Sequence, residues 1–185
     1  MSSVMDSALA NAFVELCSEK NIESITVKDV IARCGVSKQT FYNHFRDKQD
    51  LMNYVYQREV DAAVGVFSGE VRSLAGLEHI AERVLSRMLA RGDYFKAIAR
   101  FRTQNDFAGF FEESTRQFFL DALSNGGSKE LDERTLRLID YNSAGLAKLS
   151  MKWVLDGMPQ MPRDYAKECV SCISEDLKRA VESEG

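Results

Sequence analysis

The chain has 185 residues, 45% of them hydrophobic and 28% charged, and a formal net charge of −4. That balance supports a sizeable buried core and argues against a generic polyanion binder, although an acidic total is compatible with a local basic patch. The longest apolar runs are far too short to span a membrane, and the start, MSSVMDSALANAF, has no basic n-region. No membrane span and no secretory signal are expected, which makes the cytoplasm the expected compartment.

The cysteines, Cys17, Cys34, Cys169 and Cys172, are too few for a disulfide scaffold of this length and fit reduced thiols. CVSC at 169–172 places two thiols on one helical face, and zinc would need two further ligands. The only histidines are His44 and His79, and no second ligand pair has the usual spacing, so no metal and no cofactor are expected.

Helical periodicity dominates, and the prolines, Pro159 and Pro162, come late. Met5, Leu9, Ala12, Phe13 and Leu16 mark a first helix. Thr26 with Asp29 forms a T-x-x-D cap for a second, short helix with Val27, Val30 and Ile31 on its buried face. Gly35 suits a left-handed residue after that helix. Ser37 caps a third short helix, and Asp47 a long fourth one running to about Phe67. Leu77 to Leu89 forms another helix, which RGD at 91–93 stops and restarts. Tyr94 to Phe101 is short, and Phe107 to Ala122 is longer and ends in SNGGSKE. One helix follows over 131–156, and after GMPQMP a last one over 163–182. About nine helices and no sheet are expected, dividing into 1–47 and 48–185.

Two short helices joined by a tight, glycine-containing turn make a helix-turn-helix, whose second helix can enter a major groove. Val36, Phe41 and Phe45 can point inward and hold that helix. Lys38, Gln39, Thr40, Asn43 and His44 stay on the other faces, with side chains suited to base edges and phosphates, and the Tyr42 hydroxyl can meet a phosphate. Within 33–48, Arg33, Lys38, Arg46 and Lys48 stand against Asp47 alone, whereas 1–29 is acidic.

TVKDVIARCGVSKQTFYNHFRDKQDL, at 26–51, resembles the DNA-binding region of the TetR family of bacterial regulators. The likeness rests on the Thr cap at 26, A-x-x-G-V-S at 32–37, T-F-Y-x-H-F at 40–45 and the D-K-x-x-L that opens the long helix. The resemblance implies a homodimer with two DNA-reading heads, a larger helical domain that often houses a small-molecule inducer, and a dimer interface built by the last two helices. It places Thr26 and Lys28 against phosphate or base, Ser37, Lys38, Gln39, Thr40, Tyr42, Asn43 and His44 on the recognition helix, and Lys48 at a phosphate. Where many members carry a basic arm before the first helix, this chain has MSSVMDSA.

The remainder suggests a pocket and an interface. Met88, Phe101, Phe107, Phe110, Phe111 and Phe118 belong to an aromatic-rich middle that the resemblance points to as an inducer site, with Arg100, Arg102 and Gln104 as candidate polar anchors. Small residues around Gly145 permit close helix approach, and Leu149, Trp153, Ile173 and Leu177 offer apolar area for a four-helix dimer bundle. The segment YNSAGLAKLSMKWVLDGMP also resembles, more loosely, a TetR subgroup that includes regulators and coactivators of dihydroxyacetone utilisation. No nucleotide fingerprint, nucleophile elbow or H-E-x-x-H is present, and GGSK at 126–129 lacks the spacing of a phosphate loop. The expected function is a DNA-binding regulator, a repressor released by an inducer of unknown identity. The alternative is a coactivator or adaptor of the same fold acting through a protein partner.

Overall fold

The structure, a computed structural model, describes residues 4–64, 73–100 and 107–183. Among the described residues are ten α-helices, one 3-10 turn and no strand. The head starts with α1 (Val4–Glu19), which buries Leu9, Phe13 and Leu16. A 3-10 turn (Ile22–Ser24) leads to α2 (Val27–Cys34), α3 (Lys38–His44) and the long α4 (Lys48–Val64).

The local signals set these boundaries. The Thr26 hydroxyl accepts from the Asp29 N–H, and the Asp29 carboxylate accepts from the Thr26 N–H at 2.7 Å, a complete capping box. Gly35 ends α2 at φ 68°, a left-handed geometry that a side chain would strain. The Ser37 hydroxyl accepts from the Thr40 N–H at 3.0 Å, and the Asp47 carboxylate from the Asp50 N–H at 2.8 Å.

Asp29 also pairs with Lys20 at 2.8 Å. That ammonium, followed by the Thr26 N–H and hydroxyl, holds the Asp29 carboxyl well below its usual range. A depressed folded-state pKa adds stability above the unfolded value, roughly 3.9, and loses it as pH falls. Asp29→Asn is therefore expected to lower the thermal midpoint at pH 7, with the gap from wild type closing as pH drops below about 4. Circular-dichroism melts across that range check it; a gap independent of pH would remove the carboxylate from the stabilising account.

The body comprises α5 (Leu74–Ala90), α6 (Gly92–Arg100), α7 (Phe107–Leu123), α8 (Glu133–Leu155), α9 (Pro162–Ser171) and α10 (Glu175–Ser183). α5 lies along α9, α7 along α8, and α4 along α5. The single helix expected over 163–182 is two helices, which accounts for ten where about nine were expected. Buried Asn142 of α8 reaches the break. Its Oδ1 accepts from the Ser174 N–H at 2.8 Å, while its amide donates to the Ser174 hydroxyl at 2.9 Å and the Leu138 carbonyl at 2.7 Å. Ser174 is thus bound to α8, and α10 restarts from it, its carbonyl accepting from the Lys178 N–H.

One apolar core runs from the head into the body across the 47/48 boundary, from Leu9 and Phe41 through Leu51, Met52, Val55 and Tyr56 to Trp153 and Cys169. Tyr94 of α6 ties the two parts: its ring meets Phe13 edge-on at 6.3 Å, and its hydroxyl donates to the Met52 carbonyl at 2.8 Å. Buried Glu59 joins α4 to α5 through Arg87 at 3.7 Å and Arg91 at 3.8 Å, with Arg58 beside it at 3.3 Å. A second cluster at the far end holds Leu77, Phe119, Ile139, Val170, Ile173, Leu177 and Val181.

These clusters correct part of the expected interface. Trp153 is 2% exposed and stacks on Tyr165 at 5.5 Å and 12°, while Ile173 and Leu177 are 4% and 0% exposed within one chain. All three are intrachain core. Trp153 of α8 is covered by Tyr165 of α9, and Ile173 and Leu177 close on Phe119 of α7 and Ile139 of α8 within the second cluster. Leu149 is half-buried against the main core, whereas Gly145 faces open space.

Candidate nucleic-acid interface and internal cavity

α3 is held from beneath. Phe41 and Phe45 are buried, their ring centroids 6.0 Å apart, and Phe45 meets Tyr54 of α4 at 5.2 Å. The opposite side presents Ser37, Lys38, Gln39, Tyr42 and Asn43 as exposed residues, with Thr40 half-buried between them. The Lys38 ammonium sits 5.8 Å from the Tyr42 ring centroid, and the Gln39 amide donates to Asn43 Oδ1 at 2.9 Å. Lys28 of α2 and Thr26, its cap, are exposed beside the turn. The residues expected from 26 to 43 are thus solvent-accessible amide, hydroxyl and ammonium groups, the kinds of donor and acceptor that base edges and phosphates accept.

Two expected contacts point elsewhere. Lys48 Nζ donates to the Ile22 carbonyl at 2.9 Å and the Ile25 carbonyl at 3.0 Å, half-buried, and burial lowers its pKa. Carbonyls at the exit of the 3-10 turn attract the ammonium, so the side chain fastens α4 to the front of the head. His44 Nδ1 lies 2.7 Å from Asp6 Oδ1, which ties the end of α3 to α1.

The basic patch is also smaller than the sequence count. Arg33 bonds Glu15 at 3.2 Å and Glu19 at 2.5 Å, and their carboxylates raise its already high pKa. Arg46 keeps an 89% exposed side chain, 3.8 Å from Asp50. Lys28, Lys38 and Arg46 carry the exposed positive charge on this side of the head. The α1 partners Asp6, Glu15 and Glu19 escaped sequence reasoning. Their acidity stood out, but nothing local showed which cation each would meet.

A cavity of ≈ 930 Å³, open to solvent on one side, lies between α4, α5, α7, α8 and α9. Phe110, Phe111 and Phe118 line it, as expected. Met88 and Phe107 do not. Met88 is 1% exposed in the main core, and Phe107 packs on Tyr56 at 5.0 Å. Phe101, Arg102 and Gln104 lie outside the described residues, and Arg100 is exposed and away from the lining. The lining includes residues the sequence did not single out: Tyr56, Gln57 and Asp61 of α4, Leu77, Ile80 and Val84 of α5, and Cys169 and Val170 of α9. α4 buries Leu51, Met52, Val55 and Tyr56, a pattern wide enough to touch both head and body, and this was the available signal for Tyr56.

Tyr56 meets Phe110 edge-on at 4.9 Å and Phe111 at 5.9 Å. Burial pushes its phenol far above the ordinary range, against a hydrogen bond with Ser114 that lowers it. Burial likewise pushes the Cys169 thiol up to about 12, where it stays protonated and unreactive near neutral pH. Among the described residues, no group of three or more His, Cys, Asp or Glu could hold a metal ion, and no helix is long and apolar enough to cross a membrane.

Residues 9–55 match the family model of bacterial regulatory proteins, tetR family. An HTH-type transcriptional regulator of Staphylococcus aureus (strain USA300) is 36% identical over 53 residues, which cover 29% of this chain and 29% of that protein. The chain therefore matches less than a third of the length of such curated relatives. Solved structures resemble it over nearly the whole length. The dihydroxyacetone kinase operon activator DhaS superposes with a TM-score of 0.70 at 14% identity, covering 95% of this chain and 97% of that one. The TetR family repressor AlkX from Dietzia sp., implicated in biodegradation of n-alkanes, gives 0.62 at 18% identity, covering 94% and 97%. The first four helices thus match the tetR-family model, and the all-helical fold over the whole described chain is similar to that of solved TetR-family regulators.

Proposed function

We propose that the protein is a DNA-binding transcriptional regulator that acts as a homodimer in the cytoplasm, by binding and not by catalysis. Two copies of α3 enter successive major grooves, with Lys38, Gln39 and Asn43 at base edges and Thr26, Lys28 and Tyr42 at the backbone. The observation that carries this reading is the exposed amide, hydroxyl and ammonium surface on the second helix of a helix-turn-helix whose apolar side is fully packed. The ≈ 930 Å³ cavity takes a small-molecule inducer. Its α4 wall continues to the head, so a ligand pressing on Tyr56 acts on the helix that positions α3; release of a repressed operator follows.

A second reading, a coactivator that works through a protein partner, draws support from two observations. Arg33 and Lys48 are engaged within the head, and the activator DhaS is among the structural neighbours.

Binding to the DNA upstream of the protein's own gene, measured against salt, separates them. A direct reader gives a log K that falls linearly with log salt concentration, and Lys38→Ala reduces that slope by about one unit and relaxes base preference. Lys48→Ala is expected to act mainly on folding, because its ammonium serves two backbone carbonyls. Binding that is weak, unchanged by Lys38→Ala and indifferent to sequence would favour the coactivator.

A further inference from the structure

The charge of the cavity lining restricts what the cavity can hold. Asp61, Glu113 and Asp121 contribute to it, and no Lys, Arg or His does among the described residues. Asp61 Oδ1 accepts from the Gln57 amide at 2.7 Å, and Asp121 Oδ1 from the Gln117 amide at 2.8 Å. Both donors are neutral, so these bonds orient the carboxylates without cancelling their charge. Glu113 stands 3.8 Å from Arg116, a cation that itself bonds Asp140 at 2.7 Å.

The rest of the wall is uncharged, polar at Gln57, Ser114, Thr115, Gln117, Asn125 and Ser150 and otherwise largely apolar, with several aromatic rings. Tyr56, Phe110 and Phe118 face the same space. An aromatic face attracts a cation, and the attraction grows as water is excluded. An anion entering past Asp61 and Asp121 would meet repulsion, and the described lining offers no positive group to offset it.

We propose that the ligand of this cavity is a lipophilic organic cation, an amine or quaternary ammonium head on an apolar body, with the body among the rings and the head toward Asp61 and Asp121. This rests on the reading of the cavity as an inducer site.

The test is calorimetric titration of the full chain with three probes that share one body: phenylbutylamine, phenylbutanol and phenylbutyrate. The amine is expected to bind at least about tenfold more tightly than the alcohol, and the butyrate most weakly. Added salt should narrow the order, because the carboxylates are near water. In the doubly substituted Asp61→Asn, Asp121→Asn protein, checked for helicity, the amine-to-alcohol ratio should fall toward one. If that variant does not fold, the wild-type order alone decides. Alcohol or butyrate binding as tightly as the amine overturns the proposal, and so does binding of none of the three. Failure of the regulator reading would show instead as absent DNA binding, which these titrations do not involve.

Discussion

Phe41→Ala is expected to cost about 3–5 kcal/mol and to abolish DNA binding, although Phe41 itself touches nothing outside the protein. The side chain is 0% exposed and sits between the rings of Phe45 and Tyr42, at 6.0 and 5.4 Å. α3 has only 7 residues, too few to be stable alone, so its position depends on this anchor. Native domains hold a net stability of about 5–15 kcal/mol, so the loss is a large share of the total. Gln39→Ala, on the exposed side of the same helix, should stay within about 0.5 kcal/mol of wild type while weakening binding to the specific site. Denaturant unfolding and operator binding, measured on both variants, check the pair. Wild-type stability in Phe41→Ala would mean that α3 is not held by this contact.

The contrast between these residues reflects what the sequence could convey. The helix ends of the head were legible because each depends on neighbours three residues apart. Thr26 with Asp29, Ser37 with Thr40 and Asp47 with Asp50 all form as the local order predicts. The inward set of Phe41 and Phe45 was legible for the same reason, as helical periodicity. The electrostatics were not. Arg33 finds Glu15 and Glu19, Lys48 finds carbonyls 23 and 26 residues away, and His44 finds Asp6 38 residues away. Charge is visible in sequence, but pairing is a property of the packed helices.

The break before α10 has the same origin. Asn142 and Ser174 are 32 residues apart, and the hydrogen bonds between them outweigh a periodicity that would have carried one helix through. The cavity was legible as a region, from the run of phenylalanines on α7. Its outline was not, because Met88 and Phe107 differ from Phe110 and Phe118 only in which neighbours close over them.

Gly145→Arg is expected to turn the proposed homodimer into a monomer without harming the fold of either copy. Trp153, Ile173 and Leu177 cannot supply a test of assembly, because they are buried within one chain and a charge there would unfold it. Gly145 is different. A Cβ built on it meets nothing within 4 Å, so the chain itself leaves room for a side chain. It stands on the outward side of α8 with Tyr141, which is 74% exposed, Ala144, Lys148 and Leu155, which is 40% exposed. Met161, 67% exposed, caps α9 nearby in sequence. This is where large apolar side chains and small residues coincide on the surface, as close contact between two copies requires. Replacing a mid-helix glycine by arginine improves intrinsic helix propensity by roughly 0.5–1 kcal/mol, so the isolated chain should be no less stable. Across a two-fold axis the substitution acts twice, placing two long cations where two helices should nearly touch. Operator affinity should fall with dimerisation, because two linked heads gain from each other's binding what two free heads do not. Light scattering with circular dichroism decides the matter. A helical monomer with weakened DNA binding is the expected result, and a variant that remains dimeric, or a wild type that is monomeric, would move the interface off this side of α8.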